Sequence, residues 1–561
     1  MFYTNVTTRG NDILFRGINN GKRVQQRVPF KPTLYSKVGY ETEWKSIFGD
    51  NVEAIKFDSM SEARDYVKRY TDVSNYKIYG NTNYNYQFIT KAFPDDVAFD
   101  VTQLKILTID IETSTEHGFP DPKSANEEVL LITVQNYNTK QITSFGCKPF
   151  TPYKENIRYI QCEDEMQLLK KFIDFISADH PDVITGWNCN LFDIPYLSTR
   201  IIRVLGESAL KLCSPWKNYY VREQAIGGRE QILYDWTGIS ILDYLDLYRK
   251  FSYKMQESYK LDHIAQEELG KAKVKSPYAT FKEFYTNDWK LFVEYNIVDV
   301  ELVDQLEDKM RLIELILTMA YDAKCNYTDI FSSVRTWDCI LYNVLHKRNI
   351  VVHQHKPPEG AADRMIMGAF VKEPTPGSYD WVVSFDATSL YPSIIMSLNM
   401  SPETLVDGEK VLGDTEESIF KLMDRKVDTT NLKTSNWSMA ANGQCFRRDV
   451  KGIFPQIIEH YFSVRQTTKK QMLADQAKYE ETKDPAYLKN VASLNAKQMA
   501  AKILMNSLYG AMGNIFFRYY DIRLAEGITM TGQLLIRTVA GKLNKYLNDI
   551  CKTQAVSYTH L

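Results

Sequence analysis

Asp110 and Glu112 stand two residues apart in the run LKILTIDIET. If this run is a strand, residues two apart share a face and the two carboxylates converge. The apolar approach places them at the end of a buried strand, where α/β proteins build their sites. Asp193 closes the string GWNCNLFD and opens a helical stretch; taken alone it reads as a helix N-cap. Tyr295 and Asp299, in YNIVD, fall at i and i+4 on one helix face; taken alone they read as a surface pair. Together the four carboxylates are a different matter. They supply enough hard oxygen ligands for two divalent cations about 3.5–4 Å apart. One cation would lower the pKa of an attacking water and the other would support a leaving 3′-oxygen. A tyrosine hydroxyl can orient that water. The chemistry is metal-assisted phosphodiester hydrolysis.

A second group of residues lies further along. SFDATSLYPSII (384–395) sets Asp386 at the end of an expected strand, WVVSFD, ahead of a Tyr-Pro turn. KILMNSLYGAMGN (502–514) places Lys502, Asn506 and Tyr509 at i, i+4 and i+7, on one helix face. Gly510 lets a backbone approach closely. Arg465 and Lys469 stand four apart on the preceding helical stretch; alone they would be a solvated charged face.

These residues need elements to hold them. Residues 1–100 read as short alternating strands of an antiparallel sheet, with turns at Arg9-Gly10-Asn11 and Asn19-Asn20-Gly21. From residue 105, strands alternate with a helix over EDEMQLLKKFIDFISAD, the pattern of an α/β domain. One long helical stretch covers about 288–320. A second α/β-like pattern starts near 380. A helical hairpin covers about 455–510, with its turn at KDP (483–485).

At 561 residues the chain is too long for one core, and several domains are expected. An apolar fraction of 44% with 25% charged residues is that of soluble globular protein. A net charge of −2 neither supports nor excludes DNA, because a basic groove and a carboxylate site cancel in the sum. The eight cysteines form no CxxC pair and no zinc spacing, and read as reduced and mostly buried. The polar N-terminus lacks the features of a signal peptide, and no run of about 18 apolar residues suggests a membrane span.

The strings D-I-E, N-x₃-F-D and Y-x₃-D, in that order, resemble the three exonuclease motifs of family B DNA polymerases. SFDATSLYPSII resembles the family's motif A, and KILMNSLYG its motif B. The likeness covers essentially all of 1–555 and is fullest with the bacteriophage replicative members. It implies an α/β and α+β multidomain fold: an N-terminal antiparallel β domain, an RNase H-like 3′→5′ exonuclease domain, and a partial palm with helical-hairpin fingers. The implied boundaries are 1–104 (with 312–357 returning to it), 105–311, 358–451 and 513–561 for the palm, and 452–512 for the fingers. It implies that Asp110, Glu112, Asp193 and Asp299 bind two Mg²⁺, with Mn²⁺ as a substitute, and that Tyr295 positions the water. Asn188 takes the second-motif asparagine position and faces DNA.

In the polymerase site the resemblance makes Asp386 and the Ala387 carbonyl metal ligands. Ser389, Leu390 and Tyr391 cradle the triphosphate with backbone N–H groups, and Tyr391 excludes a ribose 2′-OH. Arg465, Lys469, Lys502 and Asn506 bind the nucleotide, and a cation such as Lys502 suits phosphoryl transfer. Tyr509 and Gly510 meet the nascent pair. Gly368, in GAFVKEP (368–374), meets template DNA; Met367 precedes it where the family has an aromatic residue. The loop AIGGRE (225–230) matches a hairpin that moves the primer end between sites. Implied partners are primer–template, single-stranded DNA, dNTPs, a sliding clamp and replisome proteins, in the cytoplasm of an infected bacterium.

The sequence departs from the family at a further point. The motif Y-x-D-T-D-S, which carries the second polymerase aspartate, does not occur in the 561 residues. GDTEES (413–418) lies between motifs A and B, in the wrong order, and reads as a surface loop. VSYTHL (556–561) resembles a translated adapter tail. The reading is a fragment whose exonuclease site is complete and whose polymerase site is not. The alternatives are a split polymerase completed by a second chain, a stand-alone exonuclease, and a non-catalytic nucleic-acid-binding protein.

Overall fold

The first thirty residues alternate apolar and polar side chains, and they form a three-stranded antiparallel sheet. Its strands are β1 (Phe2–Arg9), β2 (Asp12–Asn19) and β3 (Lys22–Pro29). Both expected turns are present. In the second, Asn20 (φ 49°) and Gly21 (φ 75°) take the left-handed backbone that a two-residue hairpin needs. The computed structural model describes residues 1–550 except 227, 253, 355–356, 358–359, 361–365, 375, 379–383, 411 and 414. They form two compact units. The first is Met1–Pro32, Lys56–Asp65 and Asn83–Phe331; the second is Thr33–Ile55, Tyr66–Thr82 and the chain from Ser332 onward.

The first unit is built on a mixed six-stranded sheet. Its members are β4 (Ile106–Thr113), β5 (Val129–Asn136), β6 (Ile142–Gly146), β7 (Ile157–Gln161), β8 (Val183–Thr185) and β11 (Ser240–Ile241), in the order β7-β6-β5-β4-β8-β11. β4 runs antiparallel to β5 and parallel to β8. Alternation along β4 divides its side chains. Leu107, Ile109 and Ile111 join a core with residues of α1 (Glu165–Ala178) and α2 (Asp193–Leu205). Glu112 pairs with Leu131, which packs on the opposite core with Phe292, Val293 and Ile297 of α4 (Trp289–Met310). Helices therefore cover both faces, and the two acids of β4 face α4. A bulge between Glu112 and Thr113 ends the regular pairing beside them.

The helical stretch expected over 288–320 is two helices, α4 and α5 (Leu312–Ala323). Arg311 (φ 53°) breaks it in the left-handed conformation. Buried Glu307 accepts the Ile313 N–H (3.0 Å) and the Tyr244 hydroxyl (3.0 Å), so the amide freed by the break keeps a partner. The ends of AIGGRE pair in an antiparallel hairpin, β9 (Tyr219–Ile226) and β10 (Arg229–Trp236), while Gly227 lies outside the described residues.

In the second unit, Ile350–Val351, Trp44–Ser46, Asn51–Lys56, Thr33–Lys37 and Ile78–Tyr79 form a five-stranded sheet. α6 (Ser333–His346) and α7 (Leu390–Leu398) precede the expected helical hairpin, α8 (Ile453–Thr482) and α9 (Pro485–Met512). Lys483 (φ 55°) ends α8, and the Asp484 carboxylate caps α9 ahead of Pro485. α10 (Ile522–Ile550) follows. Two sequence expectations are corrected. Of the strand WVVSFD, Trp381–Val383 lie outside the described residues and 384–387 are not a strand. No described strand lies beside 384–387 to pair with their backbone, and an extended segment without a partner is no strand. GDTEES is not simply a loop: Glu416 opens the helix Glu416–Met423, while Asp414 lies outside the described residues. VSYTHL also lies outside them. The seven described cysteines are free and six are buried, as expected. Among the described residues no helix is long and apolar enough to cross a membrane.

Gly186 ends β8 tightly packed. A Cβ there would lie 2.5 Å from the Ile109 carbonyl oxygen and 2.9 Å from the Cys189 Cβ. Gly186→Ala is expected to cost about 1–3 kcal/mol by overpacking. Urea unfolding followed by circular dichroism measures this, and an unchanged midpoint would contradict it.

Candidate active site at a four-carboxylate cluster

Oxygen atoms of Asp110, Glu112 and Asp299 all lie within 4.8 Å of one another. The first two come from β4 and the third from the facing helix α4. Asn296, one turn before Asp299 and fully buried, donates its Nδ2–H to Asp110 Oδ2 at 2.6 Å. Asp193 reaches the same place from α2, as the four acids read together imply, and it does not form the cap that it suggests when taken alone. Asp193 is the first residue of α2, not its cap; Phe192 takes the cap position and makes no side-chain cap bond. Its Oδ1 instead accepts the backbone N–H of Ile111 (3.0 Å), the residue between the two acids of β4. The bond is available because that edge of β4 pairs with β8 only over Ile106–Thr108.

The electrostatics follow from burial and crowding. Burial first, then the charges of Asp193, Asp299 and Glu112, pushes Asp110 well above the ordinary carboxylate range. Glu112 is raised by burial and then by Asp299. Asp193 is pushed up to about 7, burial outweighing the Ile111 N–H that favours its charge. Burial also raises Asp299, against an ion pair with Lys273. Lys273 Nζ donates to Asp299 Oδ2 and lies 5.2 Å from the Tyr295 ring centre. Burial opposes the Lys273 charge, yet Asp299, Tyr295 and Asp110 raise its pKa overall. The Tyr295 phenol is raised by burial and then by Glu112. Two buried oxygens, Asp299 Oδ1 and Asn296 Oδ1, have no hydrogen-bond partner among the described residues. A hard, all-oxygen donor set, mutual repulsion and orphaned acceptors fit a divalent cation.

The structure therefore brings together Asp110, Glu112, Asp193, Tyr295 and Asp299 of the exonuclease motifs in the sequence reading, while Asn188 lies in the loop before α2. It adds Asn296 and Lys273, which that reading missed. Asn296 could have been found as the polar residue three before Asp299 on the same helix face. Lys273 lies in the loop KAKVK and carries no local signal.

The second group lies in the second unit. The Tyr391 and Tyr509 rings meet at 4.7 Å, tilted by 55°. Gly532 of α10 leaves room for Tyr391: a Cβ there would stand 3.0 Å from its ring. Ser389 takes the left-handed conformation (φ 52°) as the N-cap of α7, ahead of Leu390. Asp386 and Ala387 are exposed on irregular backbone. Arg465 and Lys469 lie on α8, and Lys502, Asn506, Tyr509 and Gly510 on α9. The Arg465 Nε is buried without a hydrogen-bond partner among the described residues. Met367 and Gly368 are fixed through their carbonyls, which accept from Thr529 Oγ1 and Gln533 Nε2 of α10 (both 2.7 Å). Arg537, one turn further on, lies 4.0 Å over the Phe370 ring.

Comparison with known proteins gives a consistent answer. The pattern of DNA polymerase family B matches residues 330–560, and that of the family B exonuclease domain matches 57–264. The chain is similar to the DNA-directed DNA polymerase of Escherichia phage RB69, at 32% identity over 99% of this chain and 68% of that one. With the DNA-directed DNA polymerase of Enterobacteria phage T4 it shares 31% identity, over 98% and 67%. With DNA polymerase II of Escherichia coli (strain K12) it shares 26%, over 77% and 48%.

The raised carboxyl pKa values predict how pH and cations act together. A folded-state pKa of about 7 for Asp193, against 3.8 for the free group, means the folded state binds more protons within that window. Stability from this source is present at low pH and is lost as pH rises through about 7. A divalent cation replaces those protons. Mg²⁺ is therefore expected to raise Tm over an EDTA control more at pH 8 than at pH 5.5. Equal shifts at both pH values would contradict this.

Proposed function

Because the chain belongs to DNA polymerase family B, we propose that its first unit acts as a proofreading 3′→5′ exonuclease, and that its second carries the nucleotide- and DNA-binding side of a polymerase site. The observation that carries this is the convergence of Asp110, Glu112 and Asp299, from a strand and a facing helix, with Asp193 bonded between the two strand acids.

Asp110, Glu112, Asp193 and Asp299 would hold two Mg²⁺. When bound, such cations supply the positive charge that acidifies an attacking water and steadies a leaving 3′-oxygen. The rest falls to the chain. Tyr295, one turn before Asp299, presents its phenol in the field of the cluster and stays protonated, so it can donate to the water and orient it. Asn296 fixes the Asp110 carboxylate by one hydrogen bond. Lys273 balances Asp299 while no cation is present. Asn188 faces the strand to be shortened.

The same reading assigns an RNase H-like fold to 105–311, an N-terminal domain to 1–104 with 312–357, palm to 358–451 and 513–561, and fingers to 452–512. Asp386 with the Ala387 carbonyl would bind cations there. Ser389, Leu390 and Tyr391 would hold the triphosphate with Arg465, Lys469, Lys502 and Asn506, and Gly368, Tyr509 and Gly510 would meet DNA. Tyr391 against Tyr509 supports this, since it joins the two motifs at one point. Substrates would be primer–template, single-stranded DNA and dNTPs, in the cytoplasm of an infected host.

The test uses a 5′-labelled single strand and a primer–template with this chain and Mg²⁺. Shortening from the 3′ end is expected, without primer extension when dNTPs are added. Asp110→Ala should slow the shortening at least about 10³-fold, the several kcal/mol that ligation of a catalytic cation contributes. Undiminished degradation by that variant would remove the assignment.

A further inference from the structure

Asp243 is a buried carboxylate outside the metal cluster, 3% exposed, at the N-cap of α3 (Tyr244–Phe251). As a cap it needs only one acceptor, and Oδ1 accepts the Leu245 N–H at 2.9 Å. It does more. Oδ1 also accepts the N–H of Asn188 (3.0 Å), and Oδ2 accepts the N–H of Asn190 (2.9 Å). Both amides belong to the loop between β8 and α2. Asn188 sits there in the left-handed conformation (φ 66°), which carries strain in a non-glycine residue and persists only where its surroundings hold it.

The loop hands this constraint forward. The Asn188 carbonyl accepts the N–H groups of Leu191 (3.2 Å) and Phe192 (3.0 Å), and the Cys189 carbonyl accepts that of Ile194 (2.9 Å). These bonds start α2, whose first residue is Asp193. Asp193 then binds the Ile111 N–H between Asp110 and Glu112. A second anchor keeps the loop on α3: the Tyr244 N–H donates to the Gly186 carbonyl at 2.9 Å. Every step in this chain is a hydrogen bond of about 3 Å from a backbone N–H to a carboxylate or a carbonyl, so little slack separates Asp243 from Asp193.

We propose that Asp243 is a positioning residue for the exonuclease reaction: it clamps the 188–190 loop to α3 and thereby sets Asp193 against the other three carboxylates. Both Asp243 oxygens are committed to backbone amides, so it serves as no cation ligand itself. A serine would satisfy α3 equally well, so the second oxygen and the charge answer to the loop. The inference rests on the exonuclease reading for its consequence in catalysis. Its effect on cation binding does not depend on that reading.

The experiment compares Asp243→Ser and Asp243→Asn with wild type in the 561-residue chain. Serine keeps the cap and loses the reach to the loop. Asparagine keeps the shape but turns an N–H₂ toward an amide donor. Mn²⁺ alone is titrated by calorimetry, Tm is recorded, and kcat and KM are measured on a single-stranded oligonucleotide. Both variants are expected to weaken Mn²⁺ binding by about 10–100-fold, the range for partners that orient metal ligands. A matching fall in kcat is expected, with KM and Tm little changed. Wild-type Mn²⁺ affinity in the folded serine variant would overturn the proposal. So would a change confined to KM, or a loss of Mn²⁺ affinity in both variants that only follows a loss of Tm. If wild type binds Mn²⁺ and leaves DNA intact, the exonuclease reading fails and the Mn²⁺ comparison still decides the role of Asp243. If wild type binds no Mn²⁺, both are overturned.

Discussion

Repulsion among the carboxylates of Asp110, Glu112 and Asp299 is the constraint on which the first unit is organised. Two unit charges 4.8 Å apart, at an effective dielectric constant near 20, repel by about 3–4 kcal/mol. Three such pairs approach the whole stability of a typical domain, about 5–15 kcal/mol. A chain that folds with this cluster must offset the repulsion, and the structure shows how far it goes by itself. Lys273 supplies one positive charge, Asn296 one donor, and the Ile111 amide another. Raised pKa values show that these do not suffice. On the proposed reading, divalent cations would offset the remainder.

That demand explains features of the fold that otherwise look incidental. The outer edge of β4 pairs with β8 only as far as Thr108, which leaves the Ile111 amide to Asp193. The bulge after Glu112 closes the strand beside the cluster. α4 breaks at Arg311 without orphaning backbone, because buried Glu307 takes up the freed amide. In the second unit the segment around Gly368 is held to α10 through the Met367 and Gly368 carbonyls.

Much of this was legible in the sequence, and the reasons are physical. Period-two spacing put Asp110 and Glu112 on one face, and i, i+4 spacing did the same for Tyr295 and Asp299; local geometry fixes both. Asn20-Gly21 and Lys483-Asp484-Pro485 announced turns that only a few backbone conformations permit. The failures were of another kind. Asp193 was read correctly only together with the other motifs; alone it looks like a cap, because its partner, Ile111, is 82 residues away in sequence. Lys273 was invisible because its loop position gives no period and its partner lies 26 residues on. The break at Arg311 was missed because apolar spacing continues across it. The strand before Asp386 was expected from its own apolar run; its described residues, 384–386, are irregular, and 381–383 lie outside the described residues.

On the proposed reading the four carboxylates hold two cations. Anomalous diffraction from crystals grown with Mn²⁺ tests it most directly. The account predicts two peaks among Asp110, Glu112, Asp193 and Asp299, about 3.5–4 Å apart. An empty cluster, with Lys273 still paired to Asp299 at saturating Mn²⁺, would contradict it.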